Sequence, residues 1–128
     1  MNLNGLRTVI EKSWSKDTSF DPDNWSEANP SLGQCAVTAL IVNDHFDGEI
    51  LWAEVIQEDG QKISHYFNKI NEKEIDLTRH QFPEGTFVPS GTEKKKDFPN
   101  TRKFMLSDTN TKKRYELLKN KVIRSIKI

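Results

Sequence analysis

Apolar and polar positions divide the chain into a helix, a loop, a buried helix, a run of strands, a second loop and a last helix. Leu3, Leu6, Val9 and Ile10 recur at helical spacing, with Arg7, Glu11 and Lys12 on the other side, which predicts an amphipathic helix over residues 3 to 14. Residues 15 to 32 are rich in Ser, Asp, Asn and Pro. Their turn signals, Asp21-Pro22 and Asn29-Pro30, and their two anchors, Phe20 and Trp25, describe an ordered loop. From Gln34 to Phe46 apolar residues fall on every side, the pattern of a helix buried nearly all round. Ser31 is the expected N-cap and Asp47-Gly48 the expected stop, so Cys35 falls in the first turn.

Beyond Gly48 the period changes. Glu49 to Ile56 carries β-formers, Asp59-Gly60 supplies a turn, and Lys62 to Ile70 alternates so that Ile63, His65 and Phe67 share one face. Asn71-Glu72-Lys73 then reverses the chain into Glu74 to Thr78. A hairpin loop centred on Ile70 and Asn71 sets His65 directly opposite Asp76, where Cβ atoms stand ~4.5–5.5 Å apart; a slip of one residue would send them to opposite faces. Residues 83 to 103, with Pro83, Gly85, Pro89, Gly91, Pro99 and the run Lys94-Lys95-Lys96-Asp97, read as a long surface excursion and a candidate lid. Ser107-Asp108-Thr109-Asn110 offers caps for a final helix that carries Tyr115, Leu118, Val122 and Ile126 along one face. The expected fold is α+β: a buried central helix, about residues 33 to 46, packed on an antiparallel sheet of three or more strands, with N- and C-terminal helices closing the other sides.

Composition narrows this picture. A chain of 128 residues suits one domain, taken as 1–128, with one core. Charged residues make up 30%, yet three Trp and seven Phe are too many for a disordered chain. Nineteen basic residues balance nineteen acidic ones, so neither nucleic acid nor an anionic membrane is an expected partner. The longest apolar run, Ala36 to Val42, is far shorter than the ~20 residues a bilayer requires. Met1 to Arg7 lacks the features of a secretory leader, so cytoplasmic residence is expected. The single cysteine cannot form an internal disulfide, so any chemistry at Cys35 is that of a thiol.

Cys35, His65 and Asp76 are the candidate catalytic residues. A thiol is nucleophilic as thiolate, and the partial positive charge of a helix N-terminus favours that form. An imidazole can take the proton and return it to a leaving group, while a carboxylate orients the imidazole. Gln34 and the N–H of Cys35 are the candidate oxyanion donors. Trp25 and Thr38 are candidate substrate-binding residues, although Trp25, like Trp52, also reads as core and Thr38 as a hydroxyl bonding back to a carbonyl. Zinc held by Cys35, His65, His80 and Asp76 is the competing chemistry; none of these shows the short paired spacing of such sites, so neither metal nor cofactor is expected. His65 also suits a structural pair with Asp76, Cys35 a small core residue, and His45 the negative end of the buried helix.

The order of helix-borne Cys, strand-borne His and an acid on the adjacent strand is similar to the papain-like and transglutaminase-like superfamily of cysteine hydrolases. The likeness covers about residues 30 to 80 and lacks papain's Cys-Gly-Ser-Cys-Trp segment. A closer likeness lies in Asn29-Pro30-Ser31-Leu32-Gly33-Gln34-Cys35-Ala36-Val37-Thr38-Ala39-Leu40, Asp47-Gly48-Glu49-Ile50-Leu51, Ser64-His65-Tyr66-Phe67-Asn68, Ile75-Asp76-Leu77-Thr78-Arg79-His80-Gln81-Phe82 and Arg114-Tyr115. These words resemble the YunG-like family of uncharacterised bacterial proteins, with Phe67 where its pattern calls for Trp. That resemblance implies a cytosolic bacterial domain and brings no substrate. The leading expectation is a thiol-dependent hydrolase or acyltransferase acting on an amide, peptide or thioester bond of a small molecule, peptide or protein. The alternative is a non-catalytic peptide- or protein-binding domain of the same fold, using a cleft beside Trp25 and the 83 to 103 loop.

Overall fold

An apolar helix that water cannot be allowed to touch must be enclosed, and the architecture follows from that need. A computed structural model describes residues 1–127. Helix α1 spans Leu3–Ser13 and α2 spans Cys35–His45; strands β1 (Glu49–Ile56), β2 (Lys62–Ile70) and β3 (Lys73–Ile75) follow; α3 (Thr101–Leu106) and α4 (Thr109–Ile126) complete the order. Every residue of α2 from Ala36 to Val42 is buried, as its all-round apolar pattern predicts. The sheet encloses α2 on one side and α4 on another, with α1 packed on α4. Leu6, Ile10, Leu40, Ile41 and Leu118 are wholly inaccessible, and burying a side chain of that size stabilises the fold by about 1.5–3 kcal/mol.

The sheet is antiparallel with order β1-β2-β3. Its two faces differ. Ile50 belongs to the main core with Tyr66, Ile70 and Ile75 packed against it, whereas Leu51, Ala53 and Phe67 form a small second cluster covered by Val88. Residues 83 to 100 therefore close the outer face of the sheet instead of forming a lid: Thr92 pairs with Trp52 through two backbone hydrogen bonds (2.7 and 2.8 Å). A Cβ on Gly91 would come within 2.6 Å of Leu51 and 2.7 Å of Phe67, so only glycine lets the loop lie this close.

Three local expectations need correction. Ser31 is not the cap of α2; Gly33 turns the chain in the left-handed region (φ 72) and Gln34 occupies the N-cap without a side-chain bond. The excursion ends at Asn100, whose side chain caps the short α3 by accepting from Lys103 N at 2.9 Å. The β2–β3 register is also shifted: Ile70 faces Lys73 and Asn68 faces Ile75, because Asn71 and Glu72, both at positive φ, form the two-residue turn. A shift of two residues preserves the alternation, so His65 and Asp76 stay on one face although they are not directly opposed.

Candidate functional site

Cys35 is the first residue of α2 and is half-buried. The turn before it is tightly stitched. Phe20 N donates to Gly33 O (2.9 Å), Ser19 Oγ donates to Leu32 O (2.7 Å), and any Cβ on Gly33 would collide with Ser19 Oγ and the Phe20 backbone. The helix ladder begins with Thr38 N donating to Gln34 O (3.0 Å). The N–H groups of Cys35, Ala36 and Val37 thus belong to the set a helix leaves without intrahelical acceptors.

β3 ends at Ile75, so β2 has a free edge beside residues 64 to 66, and this is where the start of α2 and the segment after β3 meet. Cys35 Sγ lies 4.0 Å from Ser64 O. His65 is fully buried between Phe67 and Phe82 (ring centroids 5.6 and 5.0 Å away), and its Nε2 is 2.6 Å from Asp76 Oδ2. A carboxylate only accepts, so Nε2 carries the proton. Just past the strand, Asp76 is fixed by Thr78, whose N–H (3.1 Å) and hydroxyl (3.4 Å) both donate to Oδ1. Gln81 approaches the other ring nitrogen: its Nε2 is 3.4 Å from His65 Nδ1 and donates to Thr78 Oγ1 (3.2 Å), while its Oε1 accepts from Gly33 N (3.4 Å).

Burial by itself lowers the His65 pKa. Hydrogen bonding to Asp76, then hydrogen bonding to and the charge of Cys35, and finally the charge of Asp76, outweigh burial and raise it to about 9. The surroundings of the imidazole therefore favour its cationic form. Its neighbours Cys35 and Gln81 line a cleft of about 870 Å³ whose wall also includes Phe20, Tyr66, Asp108 and Arg114. Tyr66 is pushed up to about 12 by burial and by the charges of Cys35 and Asp108. Arg114 is lowered by burial, which the same two charges oppose.

Of the residues singled out from sequence, His65 and Asp76 are hydrogen-bonded to each other and Cys35 lies close enough to His65 to raise its pKa, with Ser64 O as the hydrogen-bond partner of its sulfur; the other three stand apart. Gln34 is a correction. Its buried amide accepts from Thr18 Oγ1 (2.8 Å) and donates to Ser15 O (3.0 Å), holding the preceding loop instead of facing the cleft. Thr38 is buried and accepts from Trp14 Nε1 (2.9 Å), so it too lies off the cleft. Trp25 donates to Pro30 O (2.9 Å) within its own loop, and the cleft is bounded by α3 and α4, not by Trp25 and residues 83 to 100. Phe20 is 73% exposed, a rim residue and not an anchor. His80 is exposed, and among the described residues no three His, Cys, Asp or Glu side chains converge as a metal cage. His45 Nδ1 lies 3.1 Å from Ile41 O at the end of α2. Sequence reasoning missed Gln81 and Arg114, although both stand in the words that carried the family resemblance, which was the available signal.

The YunG protein family model matches residues 2–127, and the chain belongs to that family. A Bacillus subtilis (strain 168) relative, "Uncharacterized protein YunG", is 36% identical over 91 residues, covering 69% of this chain and 72% of its own length. No solved structure matches the chain significantly. Among the described residues no helix is long and apolar enough to cross a membrane.

Proposed function

We propose that this member of the YunG family is a thiol-dependent acyl-transfer enzyme, a hydrolase or transferase acting on an amide, peptide or thioester bond, built on a papain-like or transglutaminase-like core. One observation carries the reading: a buried imidazole is held by a carboxylate on one nitrogen and interacts with the only thiol of the chain at the mouth of a cleft. Cys35 attacks as thiolate, and the imidazolium of His65 returns a proton to the leaving group. Asp76 keeps the ring oriented and stabilises its charge. The oxyanion falls to the N–H of Cys35 and the amide of Gln81, which takes the role expected of Gln34. The substrate is a small-molecule amide, a peptide or a protein, and neither nucleic acid nor a membrane is a partner in this reading.

Alkylation by iodoacetamide from pH 5 to 9 tests it. At pH 6 the native protein should alkylate at Cys35 on the order of 100-fold faster than His65→Ala, because removing the imidazole removes the cation that keeps sulfur ionised. A thiol that reacts only after unfolding in urea, or a native rate independent of His65, would sink the enzyme and leave a binding domain of this fold.

A further inference from the structure

The polar end of the cleft holds a cation that the proposed chemistry does not use. Arg114, 5% exposed, points from α4 into the same space as Cys35. Its three hydrogen bonds all go to neutral oxygens: Nε to Asn110 Oδ1 (2.8 Å), Nη1 to Thr18 O (3.2 Å) and, at the limit, Nη2 to Thr111 Oγ1 (3.5 Å). A guanidinium has five N–H donors, so two remain. Burying such a charge without an anion is costly, and the arrangement makes sense where an anion arrives from outside. The charges that reach Arg114 are those of Cys35 and Asp108, both on the wall of the same cleft. Asp108 is itself occupied as the cap of α4, with Oδ2 accepting from Thr111 N (2.9 Å) and Oγ1 (2.8 Å).

We infer that Arg114 receives a carboxylate of the substrate, so that the class of molecule processed at Cys35 is an acyl compound carrying a free carboxylate, such as a peptide or an N-acylamino acid. This rests on the thiol reading above and extends it to specificity. A carboxylate matches the planar fork of one guanidinium. A doubly charged phosphate would find this one arginine and the exposed Lys62 on the wall, set against Asp21 and Asp108. Phe20, whose ring lies 5.5 Å from the Arg114 guanidinium, supplies an aromatic rim over the same position. In the reaction the thiolate forms a C–S bond to the carbonyl carbon, the C–N bond breaks, and the imidazolium proton leaves with the amine. Water then opens the thioester, its proton going to the imidazole and its hydroxyl to the acyl carbon. The Arg114-bound carboxylate changes no bond.

Two alkylating probes separate this inference from the reading beneath it. Iodoacetate carries the carboxylate and iodoacetamide does not, so the ratio of their rates at Cys35 should exceed that for free glutathione in the same buffer by at least about tenfold. The ratio should fall by a similar factor in Arg114→Gln and only partly in Arg114→Lys. If Cys35 reacts rapidly with iodoacetamide but the ratio matches that of glutathione, the carboxylate subsite is wrong and the thiol reading stands. If neither reagent reacts with the native protein, the thiol reading itself has failed. Should Arg114→Gln not fold, N-acetylphenylalanine should slow iodoacetamide alkylation of the native protein where its carboxamide does not. Equal protection by the two would overturn the inference.

Discussion

The two ends of α2 each carry a polar cluster, and they are built for different purposes. At the C-terminal end Arg102 donates to Leu40 O (3.2 Å), to Asn43 Oδ1 (3.1 Å) and to Asp44 Oδ1 (2.6 Å), while Tyr115 donates its hydroxyl proton to Asp44 Oδ2 (2.5 Å). One cation meets one anion, a carbonyl of the helix accepts a further bond, and no thiol is present. At the N-terminal end a thiol and a guanidinium without an ion-pair partner among the described residues line a cleft, an imidazole and its carboxylate stand behind the thiol, and the imidazole pKa stands well above its usual value. A cluster whose charges cancel internally holds elements together, whereas one that leaves charge and a nucleophile facing a cavity is poised for a ligand. Polar residues on α2 are therefore not evidence of function by themselves.

The largest effect expected from this contrast is in stability against pH. The folded His65 pKa of about 9 lies above the ordinary 6.5, so the folded state binds the proton more tightly than the unfolded chain. That contribution is fully present below pH 6.5 and is lost as pH rises through about 9, amounting to about 3 kcal/mol. Urea titrations of the native protein should show stability falling over this window, and the fall should shrink both in Asp76→Asn, which removes the largest of the raising influences, and in Cys35→Ser, which removes those of the thiol. A stability that stays level from pH 6.5 to 9 would mean the imidazole is not held as a cation.

Gln34→Ala comes next. It removes a fully buried amide and its two hydrogen bonds, to the Thr18 hydroxyl and the Ser15 carbonyl, which keep only each other (3.0 Å), and should cost about 2 kcal/mol in urea unfolding. Were Gln34 the oxyanion donor, the loss would appear in turnover with stability intact. Asp44→Ala should have the smallest effect, about 1 kcal/mol, because the pair it breaks is 20–27% exposed and screened by solvent. Cys35 alkylation in that variant should match the native rate, and a marked change would show that the two clusters are coupled through α2.

The main helices and strands and the placement of His65 and Asp76 on one face were legible because each rests on a short-range regularity. The 3.6-residue period marked α1 and α4, all-round hydrophobicity marked α2, and alternation placed His65 on the same face as Phe67. The pairing of His65 with Asp76 survived a register error of two residues because the side-chain period of a strand is two. Only the turn at Asn71 and Glu72, where both residues adopt positive φ, decides which register is used.

Which way a polar side chain points is a different kind of question. Gln34, Thr38, Trp25 and Gln81 are all amphipathic or polar residues near the nucleophile in sequence or in space. Gln34 turns to Ser15 and Thr18, Thr38 to Trp14 and Trp25 to Pro30, while Gln81 turns to His65. The sequence by itself determined the periodic elements, the single thiol and the face that carries the imidazole, since these follow from local backbone geometry. Tertiary structure alone decided the partners of each buried polar group and the walls of the cleft, because a hydrogen bond must be satisfied by whatever packing brings within reach, and elements distant along the chain supply it.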